Sequence, residues 1–85
     1  MRKLVTLIIV NYNYGKYVSR AIRSCLNQSV FDKIEVLVID DASTDNSRGI
    51  IENFEDNIKP LYLKKNMGVA YCSNLGIKKS KGMYV

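Results

Sequence analysis

The fold is decided by residues 34–45, which read IEVLVIDDASTD. The first six of them are apolar and mostly β-branched apart from one glutamate, which predicts a strand. Ser43, Thr44 and Asp45 follow it, and these residue types favour the start of a helix. A strand that runs directly into a helix is the repeating unit of an α/β fold with parallel strands. We therefore expect similar units on either side.

The residues before this stretch form one such unit. Residues 4–10 are a nearly continuous apolar run, which is typical of a strand covered on both faces. Residues 11–15 (NYNYG) have turn chemistry, and an amphipathic helix is expected next. Its apolar face is predicted from residues that recur at helical spacing: Val18, Ala21, Ile22, Cys25 and Leu26.

The residues after it give two further units. Ser47 is expected on the inner face of a short helix, and Pro60 suits the next strand to an edge of the sheet. Residues 66–68 (NMG) open a third helix, for which Gly82 would be the C-cap. The predicted elements are a short helix around 47–54, a third strand over 57–65, a third helix over 69–79 and a fourth strand from 83.

Strands separated by helices of this length imply right-handed crossovers and a mainly parallel sheet. The predicted fold class is therefore α/β, a three-layer, Rossmann-like βαβαβαβ arrangement. The fourth strand contains three residues, against about five or six in an average strand. We accordingly expect the chain to be an amino-terminal fragment of a larger domain.

Composition excludes several classes of protein. The 85 residues contain 13 Lys and Arg, 8 Asp and Glu, two cysteines and no histidine. Without histidine there is no Ser-His-Asp or Cys-His pair, and Cys25 and Cys72 cannot complete a tetrahedral zinc site. The longest apolar stretch, residues 4–10, is far shorter than a bilayer-spanning helix. Two free thiols indicate a reducing compartment, so we expect a cytoplasmic protein.

Three polar loops follow the predicted strands, at residues 11–15, 40–45 and 66–74. Ligands of open parallel sheets bind beyond the carboxyl ends of the strands, so these loops are the predicted site. One carboxylate of the Asp40–Asp41 pair could accept a hydrogen bond from a base or a ribose. It could also cap the next helix, which spacing alone favours. Because successive strand side chains point in opposite directions, at most one of the pair faces a given ligand.

The other loop residues also have two interpretations. Tyr12 could stack on a nucleobase, or it could pack over the end of the sheet, with Asn11 and Asn13 in Asx-turns. A glycine inside a helix costs about 1 kcal/mol relative to alanine, so Gly76 predicts the close approach of another part of the chain. Turn and helix-packing roles are expected for Asn66, Gly68, Asn74 and Gly76.

Taken in order, these stretches resemble family 2 glycosyltransferases with the GT-A fold. The resemblance covers nearly all of the chain, and its specificity comes from several motifs in the family's order and spacing. The matching stretches are residues 8–13 (IIVNYN), 17–18 with 21–29, 35–45 (EVLVIDDASTD), 66–68, 74–77 and 80–85.

The resemblance implies the amino-terminal half of a GT-A domain, with strand order 3-2-1-4. Residues 1–85 would be a single partial domain that binds a nucleotide sugar and stops before the family's metal-binding Asp-x-Asp motif. The implied activity is sugar transfer from a nucleoside diphosphate sugar, UDP-linked, to a glycan or lipid-linked acceptor in polysaccharide biosynthesis. A divalent cation, Mg²⁺ or Mn²⁺, is expected for the full-length enzyme. The resemblance assigns neither its ligands nor a catalytic residue to these 85 residues.

The resemblance also implies a nucleotide site. Asp41 would hydrogen-bond the base, typically uracil, and Tyr12 would lie beside that base, so that the helix cap passes to Ser43 or Thr44. Many relatives have Arg where this chain has Ser73, so one cationic contact to the nucleotide is missing. The implied nucleotide-binding positions are Val10, Asn11, Tyr12, Asp40, Asp41 and Ser73. The implied loop positions are Asn13, Ser43, Thr44, Asn66, Gly68, Asn74 and Gly76.

Two other functions stay open at this point. The net charge of +5 would suit a non-enzymatic basic module that binds nucleotide, RNA or an anionic membrane, although the aromatic residues do not form a stacking platform. A receiver-like signalling domain would need acidic residues after its first and third strands, where this chain has Asn11 and Lys64. We expect no nucleic-acid partner. The lysine clusters and an exposed sheet edge would allow peripheral membrane association and oligomer formation.

Overall fold

The computed structural model describes residues 4–27, 33–80 and 83–84, in which strands and helices alternate. The elements are β1 (Leu4–Asn11), α1 (Gly15–Leu26), β2 (Lys33–Asp40), α2 (Ser47–Glu52), β3 (Lys59–Tyr62), α3 (Val69–Lys79) and β4 (Met83–Tyr84). The strands are parallel and lie in the order β3-β2-β1-β4. The predicted alternation and strand order are both confirmed.

β1 and β2 form the centre of the sheet. They pair along their whole length, from Leu4 with Lys33 to Asn11 with Asp40. Within the described residues, β4 pairs with only Val5 and Thr6 of β1, so the β1–β2 ladder carries most of the strand pairing.

The main core lies between the sheet and the helices α1 and α2. It contains Val18, Ile22, Val36, Val38, Ile51 and Ile58. Ser47 is also fully buried, as its place on the inner face of α2 predicts. The prediction is wrong for Leu26, the last residue of α1, which is 36% exposed.

α3 packs against the opposite face of the sheet and completes three layers. Its buried residues are Cys72 and Gly76. An ideal Cβ at Gly76 would lie 2.8 Å from Cγ2 of Ile8 and 3.1 Å from Cδ1 of Ile39. The close approach predicted from this helical glycine is therefore confirmed.

β3 is shorter than the strand predicted over residues 57–65. Asn57 belongs to a turn instead, in which its backbone N–H donates to the carbonyl of Phe54 at 2.8 Å. Pro60 lies in β3 at an edge of the sheet, as expected for a residue without a backbone donor. The predicted C-cap Gly82 and the strand residue Val85 lie outside the described residues.

Gly76→Ala is expected to destabilise the protein by about 1–3 kcal/mol, because its methyl group would overpack the contact with Ile8 and Ile39. Gly49→Ala is the matched control. Gly49 is also helical, but a Cβ there would meet nothing within 4 Å, so alanine should stabilise by up to about 1 kcal/mol. The urea midpoints of the two variants should move in opposite directions, and equal shifts would contradict the packing of α3.

Candidate functional site

The three polar loops all begin at the carboxyl ends of the parallel strands, on the same side of the sheet. Backbone hydrogen bonds continue the ladder just beyond the strands, from the N–H of Asp41 to the carbonyl of Asn11 at 2.8 Å and from the N–H of Leu63 to the carbonyl of Asp40 at 2.9 Å. The strands therefore end together, and the predicted convergence of the loops is confirmed. We call residues 12–14 loop 1, residues 41–46 loop 2 and residues 63–68 loop 3.

The Asp40 carboxylate joins loop 2 to the end of β1. Its Oδ1 accepts hydrogen bonds from Asn11 Nδ2 at 2.9 Å and from the Ser43 hydroxyl at 2.6 Å. Its Oδ2 accepts the backbone N–H of Ser43 at 3.1 Å. Asn11 and Asp40 are each only 2% exposed, so these donors compensate for the burial of the charge.

Asn13 connects loop 1 to loop 2. Its backbone N–H donates to Ser43 Oγ at 2.9 Å, and its Oδ1 accepts the N–H groups of Thr44 at 2.8 Å and Asp45 at 3.2 Å. Asn13 and Ala42 both have left-handed backbones, with φ of 56° and 60°. Asn adopts this region more readily than most residues, whereas Ala rarely does, so the contacts between the two loops help to hold Ala42 in its conformation.

Neither Ser43 nor Thr44 caps α2, and that prediction is wrong. Both are used in the contacts between loops 1 and 2, and the carboxylate at the helix start belongs to Asp45. Its Oδ1 accepts the N–H of Ser47 at 2.9 Å, and its Oδ2 accepts the N–H of Gly15, the first residue of α1, at 2.9 Å. One side chain thus serves the starts of two helices. An acidic residue two positions before a helix was the available sequence signal.

Asp41 points away from Asp40, towards loop 3. Its Oδ1 accepts the backbone N–H of Met67 at 2.7 Å, and its Oδ2 accepts that of Gly68 at 2.9 Å. The Asn66 amide also donates to the carbonyl of Asp41 at 3.3 Å. The predicted opposite orientation of the pair is confirmed. Asp41 is only 2% exposed. A ligand can therefore contact this carboxylate only at its small exposed surface, or after the residues that bury it have moved.

Cys72 lies in the first turn of α3, behind Asp41. Its backbone N–H donates to the carbonyl of Gly68 at 3.1 Å, and its side chain is fully buried. Burial, followed by the negative charge of Asp41 and a hydrogen bond with it, raises the pKa of the Cys72 thiol to about 11. This cysteine is therefore a packed, neutral group beside the candidate site.

Four predicted positions, Tyr12, Val10, Ser73 and Asn74, have no side chain in either of these hydrogen-bond networks in the described part of the chain. Tyr12 in loop 1 is 42% exposed. Val10 lines a groove of about 190 Å³ together with Tyr14 and with Asn11, the partner of Asp40. Half-buried Ser73 and exposed Asn74 follow Cys72 on α3.

The described residues do not fit a divalent cation. They include no group of three or more His, Cys, Asp or Glu that could hold a metal ion. The carboxylates of Asp40 and Asp41, the most suitable ligands by residue type, already accept N–H and O–H donors. In the same described residues, no helix is long and apolar enough to cross a bilayer.

Comparison with known proteins agrees with this geometry. The family model for Glycosyl transferase family 2 matches residues 6–85. The chain belongs to this family. A relative from Nostoc, named an uncharacterized glycosyltransferase, is 44% identical over 85 residues, which are 95% of this chain and 26% of the relative. GlyG from Streptococcus pneumoniae is 35% identical, over 100% of this chain and 29% of its own length. The chain thus spans between a quarter and a third of these relatives.

Solved glycosyltransferase structures contain the same arrangement of strands and helices. Staphylococcus aureus TarS 1–349 in complex with UDP-GlcNAc has a TM-score of 0.83 at 29% identity, over 100% of this chain and 26% of that TarS chain. The mannosyltransferase PcManGT from Pyrobaculum calidifontis, in complex with GDP-Man and Mn²⁺, has a TM-score of 0.85 at 24% identity, over 96% and 26%. The resemblance to the GT-A fold is therefore confirmed.

The two thiols of this family 2 chain should differ in reactivity. At pH 8 a thiol with a pKa of about 11 is only about 0.1% ionised, and Cys72 is also buried. Cys25, which is half-buried, should react with iodoacetamide first, and Cys72 should react only when the protein opens. Cys25→Ser isolates the slow reaction. Equal rates for both thiols in the native protein would contradict this placement of Cys72.

Asp45 should contribute to stability in a pH-dependent way. The nearby Ser47 side chain and the hydrogen bonds from the N–H groups of Ser47 and Gly15 lower its pKa from an ordinary 3.8. A lowered pKa in the folded state gives stability that is complete above the unfolded pKa and lost as the pH falls below it. The urea midpoint of Asp45→Asn should therefore fall less between pH 5 and pH 3 than that of the unaltered protein. Parallel acid profiles would disprove this role.

Proposed function

We propose that this chain supplies the nucleotide-binding part of a glycosyltransferase. The enzyme would transfer a sugar from a nucleoside diphosphate sugar, with UDP as the nucleotide, to a glycan or lipid-linked acceptor. Membership of family 2 supports the reaction class, and the similarity to TarS in its complex with UDP-GlcNAc supports the nucleotide. Residues 1–85 would form a single partial domain for this purpose.

The observation that carries the proposal is the meeting of loops 1, 2 and 3 at the carboxyl edge of the sheet. Ligands of open α/β sheets bind there, and hydrogen bonds hold the loops in fixed positions. A binding site built in this way needs little ordering when its ligand arrives, which lowers the entropic cost of binding.

In this proposal, Asp41 recognises the base. Each of its oxygens accepts one backbone N–H, and a carboxylate has about four acceptor positions, so acceptor capacity remains for the ring N–H of uracil. The exposed ring of Tyr12 offers a face for stacking. The backbone of Val10 and Asn11 would border the base. Asp40 would act indirectly, by holding loop 2 against β1.

Binding of the diphosphate and its metal ion is proposed for the whole protein. Mg²⁺ or Mn²⁺ would accompany the diphosphate, with ligands outside the described residues, and Ser73 would lie on the nucleotide side of α3. We propose that the enzyme acts in the cytoplasm, at the inner face of a membrane, which the two free thiols and the net charge of +5 support.

Binding of UDP and CDP tests the proposal. Uracil has an N–H at ring position 3, where cytosine has a lone pair that a carboxylate repels, so UDP should bind at least about tenfold more tightly than CDP. Asp41→Asn should remove most of this preference. Asp56→Asn is the matched control, because it removes the same charge from an exposed turn.

Titrations followed by NMR, at two salt concentrations, give the required affinities. Shifts at Tyr12 and in loop 3 that saturate with UDP, and that persist at 0.5 M salt, are the expected result. Failure of a folded protein to bind millimolar UDP would refute the proposal. Equal binding of both nucleotides that disappears at high salt would instead indicate a basic surface.

A further inference from the structure

Gly68 has a backbone conformation that almost no other residue adopts. Its φ and ψ are 91° and 160°, in a region that is essentially restricted to glycine. A Cβ added at Gly68 would meet nothing within 4 Å. Position 68 therefore requires glycine because of its φ and ψ angles, and not because a side chain would lack space there.

This conformation directs two successive N–H groups at one carboxylate. The N–H of Met67 lies 2.7 Å from Oδ1 of Asp41, and that of Gly68 lies 2.9 Å from Oδ2. Donors on both oxygens prevent the carboxylate from rotating, and they supply the hydrogen bonds that a group with 2% exposure requires.

We propose that Met67 and Gly68 are positioning residues, whose backbone N–H groups hold Asp41 so that it selects bases with a ring N–H. This inference rests on the proposed function. With both oxygens fixed by donors, the side chain presents an acceptor to the base edge. Uracil supplies the matching donor, and cytosine places a lone pair against the carboxylate.

The same contacts connect the base-recognition group to α3. The carbonyl of Gly68 accepts the N–H of Cys72 at 3.1 Å, so the residue that orients Asp41 also begins the helix. The side-chain amide of Asn66 donates a hydrogen bond to the backbone carbonyl of Asp41 and so holds its main chain. Asp41 is thus fixed at its backbone and at both carboxylate oxygens by three consecutive residues of loop 3.

Gly68→Ala, compared with Gly49→Ala, tests this role. Alanine at position 68 fits sterically but opposes the positive φ, so the backbone should turn and withdraw its N–H from Asp41. UDP binding should weaken by about tenfold, which is the effect of one hydrogen bond to a charged group, and the ratio of UDP to CDP affinity should fall with it. Gly49→Ala, on an exposed surface of α2, should change neither quantity.

The ratio of UDP to CDP affinity distinguishes a failure of this inference from a failure of the function on which it rests. If the unaltered protein binds no UDP or does not prefer it over CDP, both fail. If it prefers UDP and Gly68→Ala keeps the same ratio, the positioning role is overturned and the proposed function stands.

Amide hydrogen exchange of the unaltered protein decides the matter even if Gly68→Ala does not fold. The amides of Met67 and Gly68 should be protected both without and with UDP, and their proton shifts should change on binding because they share an acceptor with the base. Loss of their protection with UDP would show that the base replaces them. Unchanged shifts, while the Tyr12 amide responds, would also overturn the inference.

Discussion

The parallel pairing of β1 with β2 is the constraint on which the rest of the structure depends. It brings Asn11 beside Asp40 at the end of the ladder, and the hydrogen bond between their side chains fixes where loops 1 and 2 begin. A shift of one residue in this register would reverse the side chains of a whole strand. Asp40 would then point towards α3, and Asp41 would take its place beside loop 1.

Much of the fold follows from patterns that depend on local physics. Period-2 and period-3.6 apolar spacing predicts which segments are strands and helices. The missing N–H of Pro60 predicts an edge, and the missing side chain of Gly76 predicts a close contact. Alternation along a strand predicts that Asp40 and Asp41 diverge. Each of these inferences uses a property of the residue itself, and each agrees with the structure.

The details of the candidate site could not be predicted in this way, because they depend on which loops meet. Nothing near Asp45 in the sequence indicates that it also holds the start of α1, since Gly15 lies thirty residues earlier. The partners of Asp41 are backbone N–H groups, which every residue except proline has, so no side-chain pattern marks them. The interpretation of one of the two Asp residues as the cap of α2 is wrong, because Asp40 binds Ser43 within loop 2 and Asp41 binds the loop before α3.

The glycine that seats α3 on the sheet has an effect beyond its own contact. Gly76 lies eight residues after Gly68, which in a helix is about 12 Å or two turns. A helix of this length behaves as a stiff rod that pivots where it touches the strands. A larger residue at position 76 would push this part of α3 away from Ile8 and tilt the helix. The tilt would also move loop 3, which lies at the start of α3, relative to the ends of the strands.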